Sequence, residues 1–228
     1  NGVRAYTALG YQGIDGIINP SKFERVSAKI NLDADIAPWL KLNTSLNYIN
    51  TQLQNTSDNL STARGGDVLS ALNTPAFLPV YGSQVNGVPL GTDGQPLDGY
   101  KPGQFTPNPY QSSWENPVAY QSSQDEYSTN RFMSNLGLDV KLAKGFTWKP
   151  SVSYEVVDLQ NDKFTNGYLT SYGRQNKGIG SDNNSVWSNY FLENTLNYSY
   201  KNENHDLGLL LGHSVQENKY TFNGRSGT

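Results

Sequence analysis

An all-β fold of long, antiparallel, up-and-down strands is predicted by three features of this sequence. Polar and apolar residues alternate over residues 25–36 and again over 40–49, so each stretch has one apolar face. The chain carries 15 Tyr, 8 Phe, 4 Trp and 22 Gly, a composition that favours strands joined by turns. The connections between the predicted strands are alternately long and short, as the strand positions below show.

The first three strands are predicted at residues 3–12, 25–36 and 40–55. In the first, one face carries Val3, Ala5, Thr7, Leu9 and Tyr11. Residues 13–21 contain Asp-Gly and Asn-Pro, which are turn pairs. The tight turn at residues 37–39 makes the second and third strands a long hairpin.

The remaining strands are predicted at residues 131–142, 146–158, 187–200 and 206–220. Residues 143–145 and 201–205 form short turns, whereas residues 160–185 form a longer polar connection. Pro150 lies inside the fifth strand and lacks a backbone donor, so a bulge or a weakened pairing is expected there.

Residues 56–128 form a different kind of segment, with little alternation and eight of the eleven prolines. Only residues 67–73 favour a short helical turn. A loop of this length is usually functional or disordered, and its aromatic residues argue against disorder. The candidate substrate- or partner-facing residues are Tyr81, Tyr100, Tyr110 and Trp114. The alternative is that these rings only pack the loop against its barrel or a partner.

Strand length and turn asymmetry favour a transmembrane β-barrel. Strands of twelve or more residues exceed the usual soluble length of about five or six. Short turns at one end and long loops at the other are typical of outer-membrane barrels, whose long loops are extracellular. Aromatic residues also form two groups, as interfacial girdles require. One is Trp39, Phe146, Trp148, Tyr198 and Tyr200, and the other is Tyr48, Tyr154, Tyr190 and Tyr220.

Composition limits the alternatives. No apolar run approaches the roughly 18 residues of a membrane-spanning helix. A net charge of −3 with scattered basic residues disfavours nucleic acid as a partner. The alternation alone also fits a soluble antiparallel sheet. A non-transporting structural or adhesive barrel and a soluble secreted carbohydrate-binding β-sandwich therefore stay open.

Catalytic and metal-binding patterns are not found in the sequence. There is no Cys, and His205 and His213 have no ligand-like companions nearby in the sequence. Glu155 and Asp158 are not a convincing hydrolytic pair, because a strand face is a poor acid–base pocket. We therefore expect no enzyme activity, no metal and no cofactor.

Seven strands are too few for a single-chain bacterial barrel, which has an even number of at least about eight. We therefore expect residues 1–228 to be a partial barrel domain, about seven strands of a larger barrel, with residues 56–128 as its long extracellular loop.

Several stretches, in order, resemble the SusC/RagA family of TonB-dependent outer-membrane transporters. They are residues 6–11 with 13–17, 23–33, 39–42, 75–81, 115–119, and 193–198 with 205–207. The resemblance implies an internal section of the barrel wall, without the family's plug domain or TonB-interacting segment. It also implies location in the outer membrane of a diderm bacterium, a SusD-like lipoprotein partner, energy from the TonB system, and import of glycans or peptides.

Overall fold

The computed structural model describes residues 2–56, 66–81, 84–85, 88–91, 93–97, 104–108, 110, 114–167 and 170–228. Its strands are β1 (Val3–Asp15), β2 (Lys22–Ala37), β3 (Leu40–Gln54), β4 (Gln84–Val85), β5 (Val88–Pro89), β6 (Gln124–Ala143), β7 (Phe146–Thr165), β8 (Ile179–Lys201) and β9 (Asp206–Gly227). Its helices are α1 (Asp67–Asn73), α2 (Pro117–Gln121) and α3 (Ser171–Asn176).

In the described residues, seven strands form one antiparallel sheet in the order β1-β2-β3-β6-β7-β8-β9. Each strand of this sheet pairs with the next sheet strand along the chain. β3 therefore pairs with β6, because β4 and β5 lie in the long connection between them. The predicted all-β, up-and-down architecture is confirmed, as is the helical turn at Asp67–Asn73.

Four strands extend seven or eight residues further toward the long loops than the sequence pattern predicted. β6 begins at Gln124, β7 continues to Thr165, β8 begins at Ile179, and β9 continues to Gly227, so the predicted polar connection at residues 160–185 is partly strand. These extensions are rich in Ser, Asn and charged residues, so they carry no apolar alternation. They are strands because each has a neighbouring backbone with which to pair, for example Asp182 with Asp162 and with Arg225.

Pro150 weakens the sheet without shifting it. It lies in register with Asn194 of β8, while the pairing of β7 with β6 stops after Gly137–Ser151 and resumes in the same register at Val140–Trp148. Register shifts occur instead beside the short turns, at Asp35/Ala37 and at Lys141/Ala143. Of the two expected effects of this proline, the structure therefore shows the weakened pairing.

The apolar face of the sheet is staggered from strand to strand. One row of paired residues joins Ala5, Leu32, Thr44, Leu136, Val152, Leu192 and Val215. In β1 the apolar run continues from this row to Tyr11, six residues nearer the long loops, whereas in β9 it stops at Val215 and extends the other way to Leu207.

The stagger is thus about one residue for each strand-to-strand step. With a rise of about 3.3 Å per residue and about 4.8 Å between strands, it corresponds to a tilt of about 35°. That tilt lies in the range of transmembrane barrels. A level apolar band therefore requires strands inclined to the membrane normal.

The tightly buried residues lie outside the sheet. Among the described residues, those that are less than a tenth exposed all belong to the two longer connections, residues 55–123 and 166–178. Ala119 and Tyr120 are the apolar members of this group. The long loop thus contains a packed unit. Within the described part of the chain, no helix is long and apolar enough to cross a membrane.

Candidate functional site

The packed part of the long loop is organised by Asn116, which is 7% exposed. Its side-chain amide donates to the carbonyl oxygens of Val80 and Thr106, both at 3.1 Å, and its Oδ1 caps α2 by accepting from the Val118 amide at 3.0 Å. The Thr106 amide also donates to the Val80 carbonyl at 2.9 Å. One side chain therefore joins three separate segments of the loop.

Replacing Asn116 with Ala is expected to loosen this unit. The variant loses the hydrogen bonds to the Val80 and Thr106 carbonyls and the cap of α2, and each hydrogen bond typically contributes about 0.5–1.5 kcal/mol. Hydrogen exchange should rise in residues 75–81 and 104–121 and stay unchanged in the sheet. Ser122→Ala is the control, because its 3.4 Å bond to the Val118 carbonyl is exposed. Unchanged exchange in Asn116→Ala would mean that Asn116 does not hold the segments together.

The predicted loop aromatics lie on or near the surface of this unit. Tyr110 is 67% exposed and packs edge-on against Phe77, with 5.9 Å between ring centroids. Tyr81 is 58% exposed and stacks on Phe105 at 5.3 Å. Trp114 is half-buried. Tyr100 lies outside the described residues.

Phe77 is itself 72% exposed. We call Phe77, Tyr81, Phe105 and Tyr110 the loop aromatic surface. Exposed apolar surface on a folded unit is typical of contact with a partner or ligand.

The two longer connections are tied together by an ion pair between Glu115 and Arg174. The nearest nitrogen and oxygen are 3.7 Å apart, and the side chains are only 9% and 19% exposed. Arg174 belongs to α3, which begins where Thr170 Oγ1 accepts a hydrogen bond from the Gly173 amide at 3.0 Å. The loop that precedes β6 and the loop that precedes β8 therefore contact each other.

The polarity of the sheet reverses between its middle and its loop end. In the middle, the face with Val152 and Leu192 is apolar, and the opposite face carries polar residues such as Asn135 and Ser153. Toward the loops, the first face carries a charged row that includes Lys22, Glu126, Asp162 and Arg225. Such a row fits a wall that continues beyond the lipid.

Toward the loops, the opposite, inner face carries apolar and aromatic residues among polar ones such as Arg131 and Asn161. Its rows there contain Ile14, Phe23, Leu53, Tyr127, Ile49, Val157, Trp187 and Tyr220. We call these rows the mouth wall. Aromatic residues on the inner face of a barrel wall can contact loops, ligands or partners that enter the barrel mouth.

This geometry corrects the prediction for Tyr220. The sequence placed it with Tyr48, Tyr154 and Tyr190 in an outer aromatic girdle. In the structure it pairs with Trp187 on the inner face, whereas Tyr190 lies on the outer face. Side chains alternate between the two faces along a strand, and Tyr220 is an odd number of residues from Val215. The sequence alone could therefore have placed Tyr220 on the face opposite Val215.

Trp187 and Tyr220 were not among the predicted site residues, yet they line a cavity of about 310 Å³ on the mouth wall. Their rings stack with centroids 5.1 Å apart. Glu155, Val157, Asn189 and Asn218 also line it. Beside the cavity, Arg131 donates to the Glu155 carboxylate through Nε at 2.8 Å and through Nη2.

Near the loop end of β7, Lys163 forms an ion pair with Asp125 at 3.3 Å and lies 5.7 Å from the centre of the Tyr127 ring. Burial lowers the pKa of Lys163, but the charge and hydrogen bond of Asp125 outweigh it and raise the pKa above its ordinary value. The cation therefore persists at neutral pH. In the described residues, no group of three or more His, Asp or Glu could hold a metal ion.

Comparison with known proteins agrees with this geometry. The chain is 25% identical over 223 residues to TonB-dependent receptor P26 of Formosa agariphila. The aligned region covers 94% of this chain and 20% of the receptor. No protein-family profile matches it.

A solved structure of the RagAB peptide transporter superposes on the chain with a TM-score of 0.67, at 17% identity, over 99% of this chain and 24% of that one. The resemblance to the SusC/RagA family is confirmed.

Two further structures, of the RagAB peptide importer in the closed-closed and open-open states, each give a TM-score of 0.66, at 17% and 18% identity. At this identity, the SusC/RagA-type structures establish the fold of the chain as a section of barrel wall. The chain spans only about a fifth to a quarter of the proteins it matches.

Proposed function

We propose that this chain is part of the barrel domain of a TonB-dependent outer-membrane transporter, which imports glycans or peptides together with a SusD-like surface lipoprotein. In this proposal the long connection between β3 and β6, predicted as residues 56–128 and ending before Gln124 in the structure, is an extracellular loop. The plug and the TonB-interacting segment belong to other parts of a longer protein, and no step is enzymatic. The outer membrane of a diderm bacterium is the proposed location.

The observation that carries the proposal is the pairing of a tilted barrel wall with a folded loop. A structural barrel needs the apolar band but has no need of a packed loop unit with an exposed aromatic surface. The loop here has a buried interior and presents Phe77, Tyr81 and Tyr110 outward. An exposed aromatic surface fits an interface, because interface cores are enriched in aromatic residues.

The relatives support the same proposal in their names. One is a TonB-dependent receptor, and the solved structures are of the RagAB peptide transporter or importer. In this proposal the exposed loop surface contacts the lipoprotein partner.

Deleting residues 82–103 from the full-length protein is the test. The ends of this segment are already joined by the Thr106–Val80 backbone hydrogen bond and by the Tyr81–Phe105 stack, so a short Gly-Ser linker can close the gap. We expect uptake of substrate or copurification of the lipoprotein to fall at least about tenfold while the barrel stays folded.

Folding is checked by the gel shift between unheated and heated samples, which reports an intact barrel. The control is an insertion of the same linker in the short turn at Lys144, at the opposite end of the sheet. Normal uptake and normal association in a folded deletion variant would contradict the role of the loop. Absence of substrate uptake by the wild-type full-length protein would instead favour a barrel without transport, the second candidate left open by the sequence.

A further inference from the structure

We infer that the cavity between Trp187 and Tyr220 on the mouth wall is a binding subsite for one sugar ring of an uncharged glycan. This inference rests on the proposed function, because it places a substrate contact on the inner wall of the importing barrel. It goes further than the proposed function because it selects glycans over peptides as the substrate and names Trp187 and Tyr220 as residues that bind it.

The aromatic part of the site is a platform of two rings. Trp187 and Tyr220 face each other across β8 and β9 as a directly paired couple, stacked at an interplanar angle of 30°. Within this section of the wall they are 42% and 56% exposed. A pair of rings on a barrel wall can take the apolar face of a flat ligand at little entropic cost.

The polar part of the site consists of planar amides. Gln216 donates to Asn189 Oδ1 at 3.2 Å and to Asn218 Oδ1 at 3.4 Å, so three amides form one hydrogen-bonded cluster below the rings. Each amide provides both donors and an acceptor. Adjacent hydroxyl groups on a sugar ring need that mixture, because every hydroxyl both donates and accepts.

One ion pair lies beside the cavity. The carboxylate of Glu155 is bound by Arg131, so the two opposite charges offset each other next to a ligand. Ser188 and Lys219 complete the floor of the cavity, but by register their side chains belong to the outer face. A neutral ligand with an apolar face and hydroxyl edges fits this site better than a charged chain terminus or an acidic sugar.

An extended peptide is less well matched. Peptides that bind sheets usually pair with the backbone of an edge strand. Here the cavity opens on the face of the sheet, and the backbones of β8 and β9 at Trp187 and Tyr220 are paired with each other. The groups presented to a ligand are therefore side chains only.

The test uses the full-length transporter in detergent and four neutral probes: cellohexaose, maltohexaose, laminarihexaose and mannohexaose. Saturation-transfer NMR and calorimetric titration measure binding. We expect at least one hexaose to bind with saturation of its ring C–H protons. We expect Trp187→Ala to weaken that binding at least about tenfold, equivalent to about 1.4 kcal/mol, and Trp187→Phe to restore part of it.

Phe191→Ala is the matched control, because Phe191 lies on the same strand and face but does not line this cavity. Asn218→Ala tests the amide cluster. We expect this variant to bind the hexaose more weakly, while the same ring C–H protons of the sugar still receive saturation. Hexagalacturonate and a tryptic digest of casein are the acidic and peptide probes.

Three results would overturn the inference: no hexaose binds the wild type, Trp187→Ala binds a hexaose as the wild type does, or Phe191→Ala weakens binding equally. Casein peptides that bind in place of sugars would also overturn it. In that case the transporter proposal would survive, since its own test is the effect of the loop deletion on uptake and lipoprotein association.

Discussion

Replacing Val152 with Arg is expected to be the most destabilising single change in the barrel wall. Val152 lies on the outer, apolar face near the middle of the band, between Trp148 and Val156 on the same strand and face. An arginine facing lipid near the membrane midplane typically costs about 2–4 kcal/mol. Urea unfolding of the full-length protein from phosphatidylcholine vesicles, followed by heat-modifiable gel mobility, measures the loss.

Ser153→Arg is the control, because Ser153 is the next residue and faces the polar interior, where Asn135 donates to its hydroxyl at 2.7 Å. An arginine there can reach water, so the free energy of unfolding should change far less. If the two variants were equally stable, or if Ser153→Arg were the worse, the assignment of the two faces would be wrong.

Replacing Phe77 with Asp is expected to give the second large effect, on association with the proposed lipoprotein. Phe77 is highly exposed and forms an edge-on pair with Tyr110. Removing an aromatic anchor from the centre of an interface commonly costs about 2 kcal/mol or more, and a buried unpaired carboxylate adds to that cost. We expect binding of the lipoprotein to detergent-purified transporter to weaken at least about thirtyfold.

Because Phe77 contributes little to the buried interior of the loop, this variant should fold normally. Lys144→Asp, at the short turn on the opposite end of the sheet, introduces the same side chain away from the loop and should leave binding unchanged. Wild-type affinity in Phe77→Asp would exclude this part of the loop aromatic surface from the interface.

The strands of the wall could be predicted from sequence because, in the middle of the sheet, each strand has one apolar face and one polar face. The alternation at residues 25–36 can be satisfied only by a strand with one apolar face, and the structure pairs it over its length with β1 and β3. Where both faces are polar, as in residues 179–186, the sequence shows no alternation that would predict a strand. These residues form a strand because they pair with β7 and β9.

The candidate site was predictable only in part. Tyr81 and Tyr110 stand out in a proline-rich loop, so the sequence could name them. Their ring partners Phe105 and Phe77 lie tens of residues away along the chain, and no local pattern connects such positions. Asn116 likewise looks like any loop amide until the fold brings Val80 and Thr106 to it.

By itself the sequence determined the strands of the wall, the side of the sheet with the short turns and the resemblance to the SusC/RagA family, because periodicity and turn chemistry are local properties of the chain. Only the tertiary structure decided the register, the stagger of the apolar band and the pairing of Trp187 with Tyr220. Those features depend on contacts between residues distant in sequence, and a shift of one residue in any pairing would move every side chain of that strand to the other face.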